Sequence, residues 1–234
     1  MKVDEYISQL RNDYNIIKKL SDKNNGKSLL LSHKQLGKTL VLRIFGDVIY
    51  VYEYLKTLKH ENLPLVHDTV FLEDAYIVFE EYIDGLSVAQ ILENGLYTYK
   101  GAKRLVGDVC DALCVIHRAG FVHRDIKPEN IMVSKDGCVK LIDFNASRKV
   151  LCDADNDTVA LGTLGYASPE QMGIAQSDAK TDIYAIGVLL NVMLTGEHPS
   201  KKLVKGKAGR IVLKCTQIDP NSRYKTVKEL KSAL

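Results

Sequence analysis

The chain has 234 residues, 46% of them hydrophobic, enough to bury a substantial core as one large domain or two lobes and too apolar for a disordered chain. Its 32 Lys and Arg stand against 29 Asp and Glu, and a net charge of +3 gives no argument for nucleic acid or an anionic membrane as the main partner. The five cysteines, Cys110, Cys114, Cys138, Cys152 and Cys215, contain no CxxC pair and no zinc-ligand spacing beside histidines, so they read as reduced thiols.

Residues 1–10 carry Lys2, Asp4 and Glu5 and no apolar run, which excludes a secretory signal, and no stretch is long enough to cross a bilayer. A cytoplasmic protein is expected. Up to about Tyr82, short runs rich in Val, Ile, Leu and Tyr at 28–32, 39–45 and 75–79 predict strands. One helix interrupts them at 47–59, where Val48, Val51, Leu55 and Leu58 recur at helical spacing. Beyond Gly85 the pattern turns helical. A short helix is predicted at 87–93, a long one at 99–119 with Leu105, Val109, Leu113 and Ile116 on one stripe, and further helices at 181–195, 205–217 and 226–234. Two short strands at 131–133 and 139–142 flank a turn at Lys135-Asp136-Gly137. A strand-rich front and a helical back predict two lobes with a cleft between them, the usual place for a ligand.

The chemistry concentrates in His123-Arg124-Asp125-Ile126-Lys127-Pro128-Glu129-Asn130 and in Ile142-Asp143-Phe144. Phosphoryl transfer needs a carboxylate to orient the acceptor hydroxyl, oxygen ligands for Mg²⁺, and a cation near the transferring phosphate. Asn130 and Asp143 offer an amide oxygen and a carboxylate to the metal, Asp125 can receive the hydroxyl, and Lys127 is the cation. A lone His-Arg-Asp would be a solvated turn more often than a site, but the whole string with Ile-Asp-Phe at this separation is far more specific.

With these motifs the chain resembles the eukaryotic-like protein kinase family over nearly its whole length, and Tyr166-Ala167-Ser168-Pro169-Glu170-Gln171 is closest in wording to bacterial members. The resemblance implies an α+β, bilobal protein-kinase-like fold in a single domain over 1–234. A small, mostly-β N-lobe with one helix would occupy 1–82, the hinge about 80–85, and a larger, mostly-α C-lobe 86–234. It implies Asp125 as the catalytic base, Lys127 as the phosphate-neutralising lysine, Asn130 and Asp143 as Mg²⁺ ligands, and ATP and Mg²⁺ as cofactors. Lys127 together with Thr163 resembles serine/threonine kinases, so a protein substrate is expected. The stretch 162–170 resembles the end of an activation segment, in which Glu170 would pair with Arg223. Asp182 resembles the aspartate that anchors the catalytic loop. Arg124 would meet a phosphate on the activation segment, with Thr158 the candidate acceptor. Asp153, Asp155 and Asp157 could stand in for that phosphate, or form a solvated acidic loop.

Departures from the family pattern fall in the first lobe. The phosphate-binding hairpin retains only Gly26, followed by Lys27, while Asn24 and Asn25 can still form a turn. The strand lysine is replaced by Arg43, which is longer and forked, and Val51 stands where its partner glutamate belongs. Glu53 lies roughly 200° around the helix from that position. An arginine without its partner could reach the phosphates directly, or Lys27 could supply the missing ammonium. Asn145 follows Asp143-Phe144 where the family has glycine, a mild change because asparagine tolerates positive φ. Either Phe79 or Glu80 closes the back of the adenine pocket, with Glu81 and Ile83 as adenine contacts. The leading expectation is a serine/threonine protein kinase with altered nucleotide grip; the alternative is a pseudokinase that binds nucleotide or a partner. A small-molecule kinase is disfavoured by Thr163 and Ser168-Pro169-Glu170.

Overall fold

Alternating apolar residues in the first third of the chain pair into one antiparallel sheet. The computed structural model describes residues 1–23, 26–150, 165–172 and 177–234, and the chain divides into two units, 1–60 with 64–83 and 61–63 with 84–234. In the first unit, β1 (Tyr14–Lys23), β2 (Gly26–His33), β3 (Thr39–Phe45), β4 (Val66–Phe71) and β5 (Tyr76–Glu81) form a five-stranded sheet in the order β1-β2-β3-β5-β4. Helix α1 (Val3–Leu10) follows no run that the sequence made conspicuous, yet Val3, Tyr6 and Leu10 recur at helical spacing and pack on the buried cluster Leu31, Leu42, Ile77 and Phe79. Helix α2 (Tyr50–Leu55) buries Val51, Tyr52 and Leu55, and the Tyr52 ring stacks on Phe45 at 5.7 Å. Covered on both faces, β5 is buried along almost its whole length.

The helix predicted over 47–59 is shorter at both ends. Ile49, at its N-cap, gives no side-chain cap, and beyond Leu55 the amides of Thr57 and Leu58 bond three residues back, so the turns tighten and the helix stops.

The second unit begins with β6 (Gly85–Ser87), α3 (Val88–Leu92) and the long α4 (Tyr99–Arg118), the two helices being capped by the Ser87 and Thr98 hydroxyls. Next come β7 (Phe121–Val122), β8 (Ile131–Ser134), β9 (Val139–Leu141) and β10 (Arg148–Lys149), then α5 (Ala179–Thr195), α6 (Gly206–Cys215) and α7 (Val227–Ala233). β6, β8 and β9 make a three-stranded antiparallel sheet, and β7 pairs with β10. Helix α5 is apolar nearly all round and is buried accordingly, capped by Asp178 and closed by left-handed Gly196. Gly187 lets α6 approach: a Cβ there would stand 2.4 Å from that of Cys215. Residues 61–63, which a division at the hinge leaves with the first unit, belong to the second. Asn62 donates its side-chain amide to the Val139 carbonyl at 2.9 Å and accepts the Leu141 amide at 3.0 Å. Among the described residues no helix is long and apolar enough to cross a membrane.

Candidate active site

The loop after β7 is held by one carboxylate. Asp182, in the first turn of α5 and fully buried, accepts the His123 amide at 3.0 Å and the Arg124 amide at 2.8 Å, while His117 from the last turn of α4 meets it at 2.7 Å. Burial would raise the Asp182 carboxyl, but the bond from His117 and the neighbouring amides hold it below the ordinary value. Arg124 sits at φ 70°, a left-handed conformation unusual for arginine, and both sides of its backbone are tied: its N–H by Asp182 and its carbonyl by the Gln171 amide at 2.8 Å. His123 is fully buried, which pushes its pKa down. Its Nε2 lies 3.2 Å from the Ile142 carbonyl, and its ring meets Phe144 edge-on at 4.8 Å.

The predicted catalytic residues of this unit come together. A single turn of 3-10 helix, Pro128–Asn130, follows the loop, and Asn130 donates its side-chain amide to both the carbonyl and Oδ2 of Asp125, each at 2.8 Å. Lys127 Nζ reaches the same Oδ2 at 2.7 Å. With its nitrogen committed to Asp125, the Asn130 amide presents its oxygen on its other side. The Ile142 amide bonds the Asn130 carbonyl at 2.9 Å, which sets Asp143 beside it in the chain. Asp143 itself is left-handed, at φ 66°. The positive φ in this string therefore falls on Asp143 and not on Asn145, so asparagine's tolerance of left-handed backbone is not called on at 145. Amide and carboxylate oxygens are hard donors, the type that suits Mg²⁺, and the donor set fits that ion.

Glu170 and Arg223 form a bidentate pair, Nη1 to Oε1 at 2.6 Å and Nη2 to Oε2 at 2.9 Å, with both side chains buried. Arg223 also caps the chain by donating to the Gln217 and Lys180 carbonyls, and Thr181 Oγ1 donates to Glu170. Sequence reasoning missed His117 and Gln171. Gln171 accepts the Ser168 amide at 3.0 Å and donates to Arg124, linking the Ser-Pro-Glu turn to the loop after β7; a single polar residue at such a position has no periodicity or spacing that marks it. Thr158 and Thr163 lie outside the described residues, as do Asn24, Asn25 and the acidic stretch at 153–157.

In the first unit, Arg43 has a partner, contrary to expectation. Its Nε donates to Glu80 Oε1 at 2.6 Å, with the side chains 9% and 2% exposed. Val51 is buried in α2, and Glu53 accepts the Tyr76 hydroxyl at 2.8 Å. Gly26 has φ +139° and a Cβ there would meet Phe45 at 2.8 Å and the Ile44 carbonyl at 2.9 Å, so packing against β3 already demands glycine. Lys27 is exposed and pairs with Ile44 in the strand register. Phe79 and Glu80 are both buried. The Glu81 amide donates to the Leu65 carbonyl at 2.8 Å, and Ile83 is buried.

A left-handed Arg124, an Asp125 held by Lys127 and Asn130, and a buried pair of Glu170 and Arg223 follow one another along the chain. The protein kinase domain family matches residues 17–234, and the chain belongs to that family. Among its relatives, the serine/threonine-protein kinase PknB of Mycolicibacterium smegmatis is 33% identical over 210 residues, covering 76% of this chain and 33% of the relative. PknB of Mycobacterium tuberculosis is 32% identical over 209 residues, covering 76% and 33%. An Aurora kinase of Candida glabrata is 30% identical over 242 residues, covering 95% and 65%. The chain spans about a third of the length of the PknB proteins it matches.

Proposed function

We propose that the chain is an ATP- and Mg²⁺-dependent serine/threonine protein kinase domain. The observation that carries this reading is the convergence of Lys127 Nζ and Asn130 Nδ2 on one oxygen of Asp125. Asp125 is the base that orients the acceptor hydroxyl and takes its proton. Lys127, beside it, faces the charge that builds on the transferring phosphoryl group. Asn130 and Asp143 would hold Mg²⁺, which when bound neutralises charge on the phosphate oxygens. Arg124, held left-handed, is the docking cation for a phosphate on the activation segment, with Thr158 the candidate acceptor. Lys127 and Thr163 favour serine and threonine over tyrosine, and the PknB relatives are named as serine/threonine-protein kinases. Arg43 and the backbone of Glu81 and Ile83 are the nucleotide contacts of the first unit. The Gly26 constraint supports packing more than phosphate approach, which leaves Lys27 as the hairpin's candidate contact.

The test is phosphoryl transfer from radiolabelled ATP to generic protein substrates with an Asp125→Asn control. Removing the base lowers kcat by about 10²- to 10⁴-fold; label incorporated at the wild-type rate by the variant would overturn the mechanism. A regulatory module that binds nucleotide without transfer is the second reading, favoured by the buried Val51 in α2. It predicts MgATP binding with no label incorporated even by the wild type.

A further inference from the structure

The peptide that joins Arg124 to Asp125 is planar, so its carbonyl and its N–H turn together, and its orientation sets how Asp125 leaves the loop. Both sides of that plane are held. The Arg124 carbonyl accepts from Gln171 Nε2 at 2.8 Å, and the Asp125 N–H donates to His123 Nδ1 at 3.3 Å. The His123 bond is internal to the loop, whereas the Gln171 bond arrives from the turn Pro169–Met172, where Gln171 is 1% exposed. The same side-chain amide accepts the Ser168 N–H at 3.0 Å and the Ser168 hydroxyl at 3.3 Å. A backbone N–H only donates and a carbonyl only accepts, so the amide has one orientation here, oxygen to Ser168 and nitrogen to Arg124.

These bonds close into a ring. Gln171 follows Glu170, Glu170 accepts the Thr181 hydroxyl at 3.1 Å, and Thr181 precedes Asp182, which accepts the Arg124 N–H at 2.8 Å. Arg124 is thus gripped at its N–H from α5 and at its carbonyl from the turn, while turn and helix are bonded to each other. A left-handed arginine persists where its surroundings over-determine it, and the ring supplies that constraint.

We infer that Gln171 is a positioning residue for Asp125: through the Arg124 carbonyl it makes the aim of the base depend on the seating of the Ser168-Pro169-Glu170 turn. The inference rests on the kinase reading above, in which Asp125 receives the proton of the acceptor hydroxyl. Asp182 secures the loop to α5 and Gln171 secures it to the turn, so transfer at the full rate requires both. A turn that withdraws Gln171 releases one side of the peptide plane and lets Asp125 swing away from the acceptor.

The test measures phosphoryl transfer to a generic protein substrate and the dissociation constant of MgATP on the full chain, for the wild type, Gln171→Met and Gln171→Glu. Measurements run from about pH 6 to about pH 8, below the melting temperature of each protein. Methionine keeps the length and bonds neither partner. Glutamate as a carboxylate still accepts from Ser168 but gives Arg124 no donor until it is protonated, and burial raises the pH at which that happens. Gln171→Met is expected to lower kcat about 10- to 100-fold at saturating MgATP, with MgATP affinity within about twofold of wild type. Gln171→Glu is expected to match that loss near pH 8 and to recover about fivefold or more, relative to wild type, near pH 6. Taking the ratio to wild type cancels the titration of Asp125, His123, Glu170 and Asp182, which all three proteins share. A merely structural role lowers the melting temperature and leaves kcat per folded molecule and the pH ratio unmoved. Unchanged kcat in Gln171→Met, a loss carried by KM alone, or a flat pH ratio in Gln171→Glu overturns the inference while leaving the kinase reading in place. If Gln171→Met does not fold, the pH ratio of Gln171→Glu decides. A wild type that transfers no label removes both readings.

Discussion

Asp182 shows how much a single side chain can organise. Two consecutive backbone amides, His123 and Arg124, end on its oxygens, and these bonds hold the residue before Asp125 in a left-handed conformation that arginine would not choose. Replacing it as Asp182→Asn puts an amide nitrogen where an acceptor is needed and strips the charge from the contact with His117. We expect a loss of about 2–4 kcal/mol in stability by denaturant unfolding, with kinase activity falling further than stability accounts for. Activity retained in a destabilised variant would show that the loop is held by other bonds. Asp182 could be read from its motif, because the Thr-Asp-Ile-Tyr-Ala-Ile-Gly string is recognisable. Glu80 could not, because a partner chosen across a strand ladder is set by the pairing of β3 with β5, and register is invisible in either strand alone.

At the level of elements, the strongly periodic segments were legible. The helix predicted over 99–119 is α4, and the strand predicted over 39–45 coincides with β3, since long stripes and clean alternation carry their own period. What failed was short and amphipathic. The eight residues of α1 are studded with charge, and their helical form is secured by packing on Leu31, Leu42, Ile77 and Phe79, residues far along the chain. The crossing of α5 and α6 is equally non-local and rests on Gly187. Gly187→Ala inserts a methyl group against Cys215 and is expected to cost about 1–3 kcal/mol, read as a lowered melting temperature, although alanine is the better helix former. A stabilised variant would mean that the helices can part without loss.

At the scale of the whole molecule, His123, Asp182 and Glu170 each make acidification costly. His123 is held neutral by burial, whereas in the unfolded chain its imidazole takes up a proton near the ordinary 6.5. The unfolded state thus binds more protons below that value, and stability is lost as pH falls through it. Asp182 and Glu170, held below their ordinary values by His117 and Arg223 against the opposing effect of burial, add a second loss at lower pH as they are protonated. Melting temperature should therefore fall from about pH 7.5 to pH 5, and His123→Gln, which cannot titrate, should flatten that slope even if it lowers the starting value. A slope unchanged in the variant would assign the acid loss elsewhere.

The sequence by itself determined the family, the order of its motifs and the residue types at Asp125, Lys127, Asn130 and Asp143, because each motif is a contiguous string recognised by local spacing. It also determined that the first lobe departs from the family at Arg43 and Val51. Only the tertiary structure decided what those departures mean. Arg43 pairs with Glu80 rather than standing alone, Gly26 answers to Phe45, and residues 61–63 join the second unit through Asn62. Each of these is a contact between residues distant in the chain, made by strand pairing and burial, and no local pattern encodes which distant partner a buried side chain will meet.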